Sequence, residues 1–212
     1  MPPSSFFTRT LFLTSWAALF STSAAHGDTG APTAIPNTQD HGPVRTTGCL
    51  PARNGYLRAQ IRGALDVDIN WHDAELECDG DARPDGSGIR VIFAGPLREA
   101  GQRMRLVFGI TSAGEGAEGN ALPTNLTVIV EGGRRLYATR GDDKCTIDHL
   151  RQERLRPRNG ETGRAYRVVA RGFCVGPASA LSGNERILVS RFDFAGRVVF
   201  TSGTASATPP AH

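Results

Sequence analysis

The chain has 212 residues, 39% of them hydrophobic and 21% charged, with 24 basic against 21 acidic side chains. That near-balance is far from the basic stripe of a nucleic-acid binder, and the length admits one ordinary domain with a real core. Among the 24 basic residues only Lys144 is a lysine; arginine suits bidentate recognition of carboxylate or phosphate, but its scatter along the whole chain reads as the codon usage of a GC-rich genome.

Residues 1–25 read as an export signal. Arg9 supplies a positive charge, Thr10 to Phe20 is almost wholly apolar, and the small residues Ser23-Ala24-Ala25 place cleavage after Ala25. The apolar run is too short to span a bilayer, and no later stretch approaches the ~20 residues a span requires. No lipobox cysteine follows the signal, so the expectation is a periplasmic or secreted protein without a lipid anchor. Residues 26–47 are rich in Thr, Pro, Gly and Asp and read as a disordered linker, as do residues 201–212. The domain is expected over 48–200. Losing Arg9 with the signal leaves a net charge of +2.

Four cysteines follow, and an even count in an exported chain implies two disulfides, with three connectivities open. The absence of a C-x-x-C pair argues against a thioredoxin-like or structural zinc site. Closure between neighbours in sequence is easiest in hairpin folds, which favours Cys49–Cys78 and Cys145–Cys174 with Cα separations of about 4.4–6.8 Å. Each bridge would close a loop of about 30 residues, worth roughly 3–4 kcal/mol in the chain-entropy model.

Strand patterning dominates the domain. From 57 to 71 the odd positions are Leu57, Ala59, Ile61, Gly63, Leu65, Val67, Ile69 and Trp71, and the even positions are mostly charged or amide side chains. This period-two alternation predicts one buried and one wet face, with Leu65, Val67, Ile69 and Trp71 inside and Asp66, Asp68 and His72 outside. Fifteen residues exceed a usual strand, so Gly63-Ala64 marks a bulge, kink or turn. The phase flips after His72-Asp73, which requires another turn or bulge. Further strands are expected at 89–94, 103–110, 124–130, 136–139, 164–174, 186–194 and, after an Ala195-Gly196 turn, 197–200. Thr146 to Leu155 differs: Ile147, Leu150 and Leu155 fall on a helical stripe, Asp148 sits in the first turn, and Pro157 stops it, which predicts one short α-helix. The fold expected is mostly β: an antiparallel β-sandwich or partly open barrel of 8–10 short strands with one helix.

The densest acidic region runs from Asp66 to Glu77. If His72-Asp73 turns a two-residue hairpin, Asp68 faces Glu77 and Asn70 faces Glu75, and like charges directly opposite are unfavourable. The sharp reading is a cation site or an acid–base cluster of Asp66, Asp68, His72, Glu75 and Glu77. The plainer and favoured reading is neutralisation by Arg58 and Arg62 on the same wet face. Asp79, Asp81 and Asp85 lie in a segment resembling a calcium loop, but Arg83 and Pro84 break the EF-hand pattern and a hairpin loop fits better. Arg140-Gly141-Asp142 matches the tripeptide read by integrins, though Asp142 or Asp143 capping the expected helix is the simpler role. Asn125-Leu126-Thr127 fits a glycosylation acceptor but lies inside a strand. The histidines have no metal-ligand spacing, and neither a G-x-S-x-G elbow nor a phosphate-cradling loop occurs, so no cofactor is implied.

Two functional expectations follow. The first is a non-enzymatic exported β domain that binds or scaffolds at the bacterial cell envelope. The second is a small secreted hydrolase built on the acidic cluster, which would need those carboxylates in a concave pocket beside His72.

Overall fold

A computed structural model describes residues 49–97, 101–133, 135–158 and 160–201. The segments expected to be an export signal and a disordered linker, and nearly all of the expected C-terminal tail, lie outside the described residues. Within them the chain is all β, and eleven strands follow one another: β1 (Tyr56–Gly63), β2 (Val67–His72), β3 (Glu77–Ala82), β4 (Gly88–Pro96), β5 (Arg103–Thr111), β6 (Gly119–Glu131), β7 (Arg135–Ala138), β8 (Cys145–Arg154), β9 (Arg164–Cys174), β10 (Ala178–Ala180) and β11 (Arg186–Phe200). They form one sheet in the order β10-β7-β6-β5-β4-β3-β11-β1-β2, with β8 and β9 bridging β6 to β11. The pairing is antiparallel apart from one parallel contact between Val199 and Asp81. The sheet therefore curls into a partial ring rather than a regular barrel.

Alternation drives this closure. Leu57 and Ile61 of β1, Ile89, Val91 and Phe93 of β4, Met104, Leu106, Phe108 and Ile110 of β5, and Leu126 and Val128 of β6 are all within 1% of complete burial. Full burial of such side chains is worth roughly 1.5–3 kcal/mol each. Four phenylalanines form the centre: Phe108 lies 4.8 Å from Phe192 and 5.0 Å from Phe194, and Phe93 lies 5.0 Å from Phe194. Such ring pairs add about 0.5–1.5 kcal/mol beyond area burial. As the alternation predicts, Leu65, Ile69 and Trp71 are buried while Asp66, Asp68 and His72 are exposed; Val67, at the start of β2, is only half-buried.

The two disulfides join Cys49 to Cys78 and Cys145 to Cys174, with Cα separations of 4.8 and 3.9 Å. The second value falls below the expected window, and the two cysteines it joins are register partners on β8 and β9. The first bridge works beside a buried carboxylate. Asp73 Oδ1 accepts the backbone N–H groups of Leu50 at 2.9 Å and Gly55 at 3.2 Å. A Cβ on Gly55 would stand 2.7 Å from that oxygen and from Cys49 Cβ, so only glycine fits there. The segment before β1 is thus fastened twice, covalently and by Asp73.

Three expectations are corrected. The stretch from Thr146 is not a helix; it is strand β8, and a register shift between Ile147 and His149 explains the error. A bulge adds one residue to the strand, so inward side chains fall at Ile147 and Leu150, three apart as on a helix. The Cys145–Cys174 bridge consequently joins two strands rather than a helix and a sheet. Ala195-Gly196 is not a turn, because β11 runs unbroken from Arg186 to Phe200. Gly196 is needed for close approach instead: a Cβ there would lie 2.7 Å from the Phe93 ring. His72-Asp73 does begin a turn, closed by Glu75 N–H donating to His72 O at 2.8 Å, but the strands on either side do not pair. β2 pairs with β1, and β3 with β4 and β11.

Candidate functional site: a polar groove on the outer face

With β2 and β3 apart, the supposed acid–base cluster separates. Asp68 lies on β2 and is held by Arg62, whose Nη2 donates to Asp68 Oδ1 at 2.7 Å while Nη1 stands 3.4 Å from Asp66. Glu77 begins β3 and pairs with Arg103 at 3.0 Å. His72 and Glu75 are exposed in and beside the connecting turn. Arg62 therefore neutralises both acids of the β1–β2 hairpin, whereas Arg58 turns away to Asp193 at 3.6 Å.

The acids of 79–85 are likewise occupied within the sheet and its turn. Asp79 Oδ1 accepts Gly80 N–H, Asp81 receives both Nε and Nη2 of Arg90 at 3.1 and 2.7 Å, and Asp85 accepts the N–H and hydroxyl of Ser87. The Ser87 hydrogen bonds, backbone first, hold the Asp85 carboxyl below the usual carboxylate range. Among the described residues no group of three His, Cys, Asp or Glu is placed to hold a metal. Asp142 is also committed: it accepts the Asn125 side-chain amide at 2.5 Å and faces Arg83 at 3.4 Å, which ties the Arg140-Gly141-Asp142 loop to β6.

A groove lies on a different surface. The outer face of β2, β1, β11, β9 and β8 forms a groove of about 860 Å³. Register makes it: Asn70 pairs with Arg58, Arg58 with Asp193, Asp193 with Arg171, and Arg171 with His149. These five side chains form one row across five strands, about 19 Å long at ~4.8 Å per strand. His149 Nδ1 then meets Asn120 Oδ1 at 3.0 Å, extending the row to β6. A second row runs beside it, Asp68–Gln60–Arg191.

Two bulges frame the groove. The β8 bulge turns both Asp148 and His149 outward, so one strand gives the surface two adjacent polar side chains. The other lies between β1 and β11, where Gln60 pairs with Arg191 but Ile61 with Val189, leaving Ser190 as the extra residue. Bulges kink a strand and re-aim its side chains, and both occur at the rim of this one surface.

The charges are unevenly committed. Arg58 is shared between Asp193 and the Tyr56 ring, whose centroid lies 4.9 Å from its guanidinium carbon. Partial burial first, and then the Asp193 carboxylate, push the Tyr56 phenol above its usual range, so it stays a neutral hydroxyl at physiological pH. Among the described residues neither Arg171 nor Arg191 has a carboxylate within 4.0 Å. On the β3–β6 part of the sheet, by contrast, Arg90, Arg103 and Arg105 each have a carboxylate partner.

Comparison with protein-family models, with curated proteins and with solved structures finds no match to this chain. The function has to be read from the groove itself. The alternation in the sequence puts Arg58, Asn70 and Asp68 on a wet face, and only the strand pairings bring Arg171, Arg191 and His149 to them. The missing signal was the bulge in β8, disguised as helical spacing.

Proposed function

We propose that this protein is an exported, disulfide-stabilised binding domain of the bacterial cell envelope and that the outer groove is its ligand surface. Two disulfides suggest an oxidising, extracytoplasmic environment, and the apparent signal segment up to Ala25 supports export by the same route. The observation that carries the binding role is the row Asn70–Arg58–Asp193–Arg171–His149. It stands on strands whose opposite side chains are locked in the core, so its geometry is set before any ligand arrives. The hydrolase reading would need Asp68 and Glu77 together, whereas they lie on strands that do not pair and each is held by its own arginine.

Cosedimentation with washed cell-envelope material tests the proposal. The mature wild-type protein should pellet with it, and the triple variant Tyr56→Ala, Arg58→Ala, Asn70→Ala should bind at least tenfold more weakly. These side chains are exposed or half-exposed, so the variant's thermal midpoint should stay close to wild type. Equal pelleting of both proteins would place the contact elsewhere on the surface, and no pelleting of either would remove the binding role.

A further inference from the structure

Granted that the groove is the binding surface, we propose that its ligand is a linear glycan bearing carboxylates, with Arg171 and Arg191 reading the acid groups. The first reason is uncommitted charge. Arg171 and Arg191 both line the groove, both are exposed, and neither is neutralised by a carboxylate within ion-pair distance among the described residues, whereas of the groove's acids Asp68 and Asp193 are held by Arg62 and Arg58 and Asp148 alone stands exposed against the two guanidiniums. Their planar forks match a carboxylate through two parallel hydrogen bonds, a geometry lysine does not offer.

The second reason concerns what the floor withholds. Along the groove β1 is paired on one side with β2 and on the other with β11, β11 with β1 and β9, and β9 with β11 and β8. The backbone N–H and C=O groups of these central strands are spent in the ladders. An extended peptide that binds by adding a strand needs a free edge, and the one bordering the groove is the outer side of β2, which pairs with β1 alone and lies two and three strands away from Arg191 and Arg171. Recognition therefore falls to side chains, and Gln60, Asn70 and the neutral Tyr56 phenol each both donate and accept. Groups of that kind suit hydroxyls distributed along a chain. The uncommitted guanidiniums add the requirement for acid, and the 19 Å row (at ~4.8 Å per strand) asks for an elongated ligand rather than a compact one.

Titration calorimetry of the full mature chain with three probes tests this: tetragalacturonate, the neutral maltotetraose, and a tetraglutamate peptide. Tetragalacturonate should bind at least tenfold more tightly than either of the others, and its affinity should fall as salt is raised. The double variant Arg171→Gln, Arg191→Gln should lose at least tenfold, and Arg171→Lys, Arg191→Lys should recover only part of that loss. Equal affinity for maltotetraose, or an unchanged affinity in the glutamine variant, overturns the acid reading. Tighter binding of tetraglutamate overturns the glycan in favour of a peptide, and failure of tetragalacturonate to bind at millimolar concentration overturns the proposal outright. In each of these cases the groove as binding surface is judged separately, by whether envelope cosedimentation still depends on Tyr56, Arg58 and Asn70.

Discussion

Reduction of both disulfides should leave the protein largely unfolded at 37 °C. Each bridge closes a loop between cysteines 29 positions apart, which the chain-entropy model values at roughly 3–4 kcal/mol, so the two together approach the whole stability of an ordinary domain of about 5–15 kcal/mol. The two losses should differ in kind. Cys145 and Cys174 join the last pair of register partners in the β8–β9 ladder, which stays hydrogen-bonded beyond them, so their loss removes a constraint without freeing a new segment. Cys49 lies before β1, and its segment retains the Asp73 hydrogen bonds to Leu50 and Gly55 and the buried Leu50 side chain once the bridge is cut. Chemical denaturation of Cys49→Ser/Cys78→Ser and Cys145→Ser/Cys174→Ser pairs should show losses of about 2–5 kcal/mol each. Proteolysis near residues 49–55 should accelerate in the first pair only. Two pairs with wild-type stability would show that the bridges do not hold this fold.

Glu161→Gln should cost about 1–3 kcal/mol, because it leaves the buried Arg197 guanidinium with a neutral, half-buried partner. Arg197 is 8% exposed and its Nη2 reaches both oxygens of Glu161, at 2.6 Å to Oε2. Directly opposite it on β9 is Arg167, and the Nε atoms of both arginines are buried without a hydrogen-bond partner. Without the Glu161 charge, two guanidiniums would face each other with only Glu153, 3.2 Å from Arg167, to balance them. Replacing the pair together, Glu161→Leu with Arg197→Met, should recover much of the loss because no buried charge is then stranded.

The same pair gives a pH dependence. Burial pushes the Glu161 carboxyl upward, but the Arg197 hydrogen bond and the Arg158 backbone N–H outweigh it and leave it below the usual range. A carboxyl depressed in the folded state contributes stability that is fully present above its unfolded value, about 4.3, and is lost as pH falls through the lower folded value. The stability difference between wild type and Glu161→Gln, measured by urea denaturation, should therefore be largest at neutral pH and shrink below about pH 4. A difference that grows on acidification would contradict the assignment.

Much of the fold was legible because burial enforces period two wherever one face of a strand meets the core. Leu57 to Trp71, 103–110 and 164–174 show it plainly. What could not be read were the places where the backbone breaks its own period. The β8 bulge set Ile147 and Leu150 at helical spacing, and Gly196 resembled a turn residue although it makes room for Phe93. The site was harder still. Its wet-face side chains have no hydrophobic pattern to fix their register, and Arg58, Asn70, His149, Arg171 and Asp193 become neighbours only through four separate strand pairings. The acidic run from Asp66 to Glu77 drew attention because its residues are close in sequence, yet the turn at Asp73 sends its two halves to different neighbours.

The claim that this groove meets the envelope is tested most directly by carbodiimide labelling of carboxylates, read by mass spectrometry with and without solubilised envelope material. Asp148 and Asp193 line the groove, whereas Asp81 and Asp85 lie on β3 and the turn after it. Binding in the groove predicts that labelling of Asp148 and Asp193 falls several-fold while Asp81 and Asp85 label as before. Protection of Asp81 and Asp85 with Asp148 and Asp193 unchanged would contradict it.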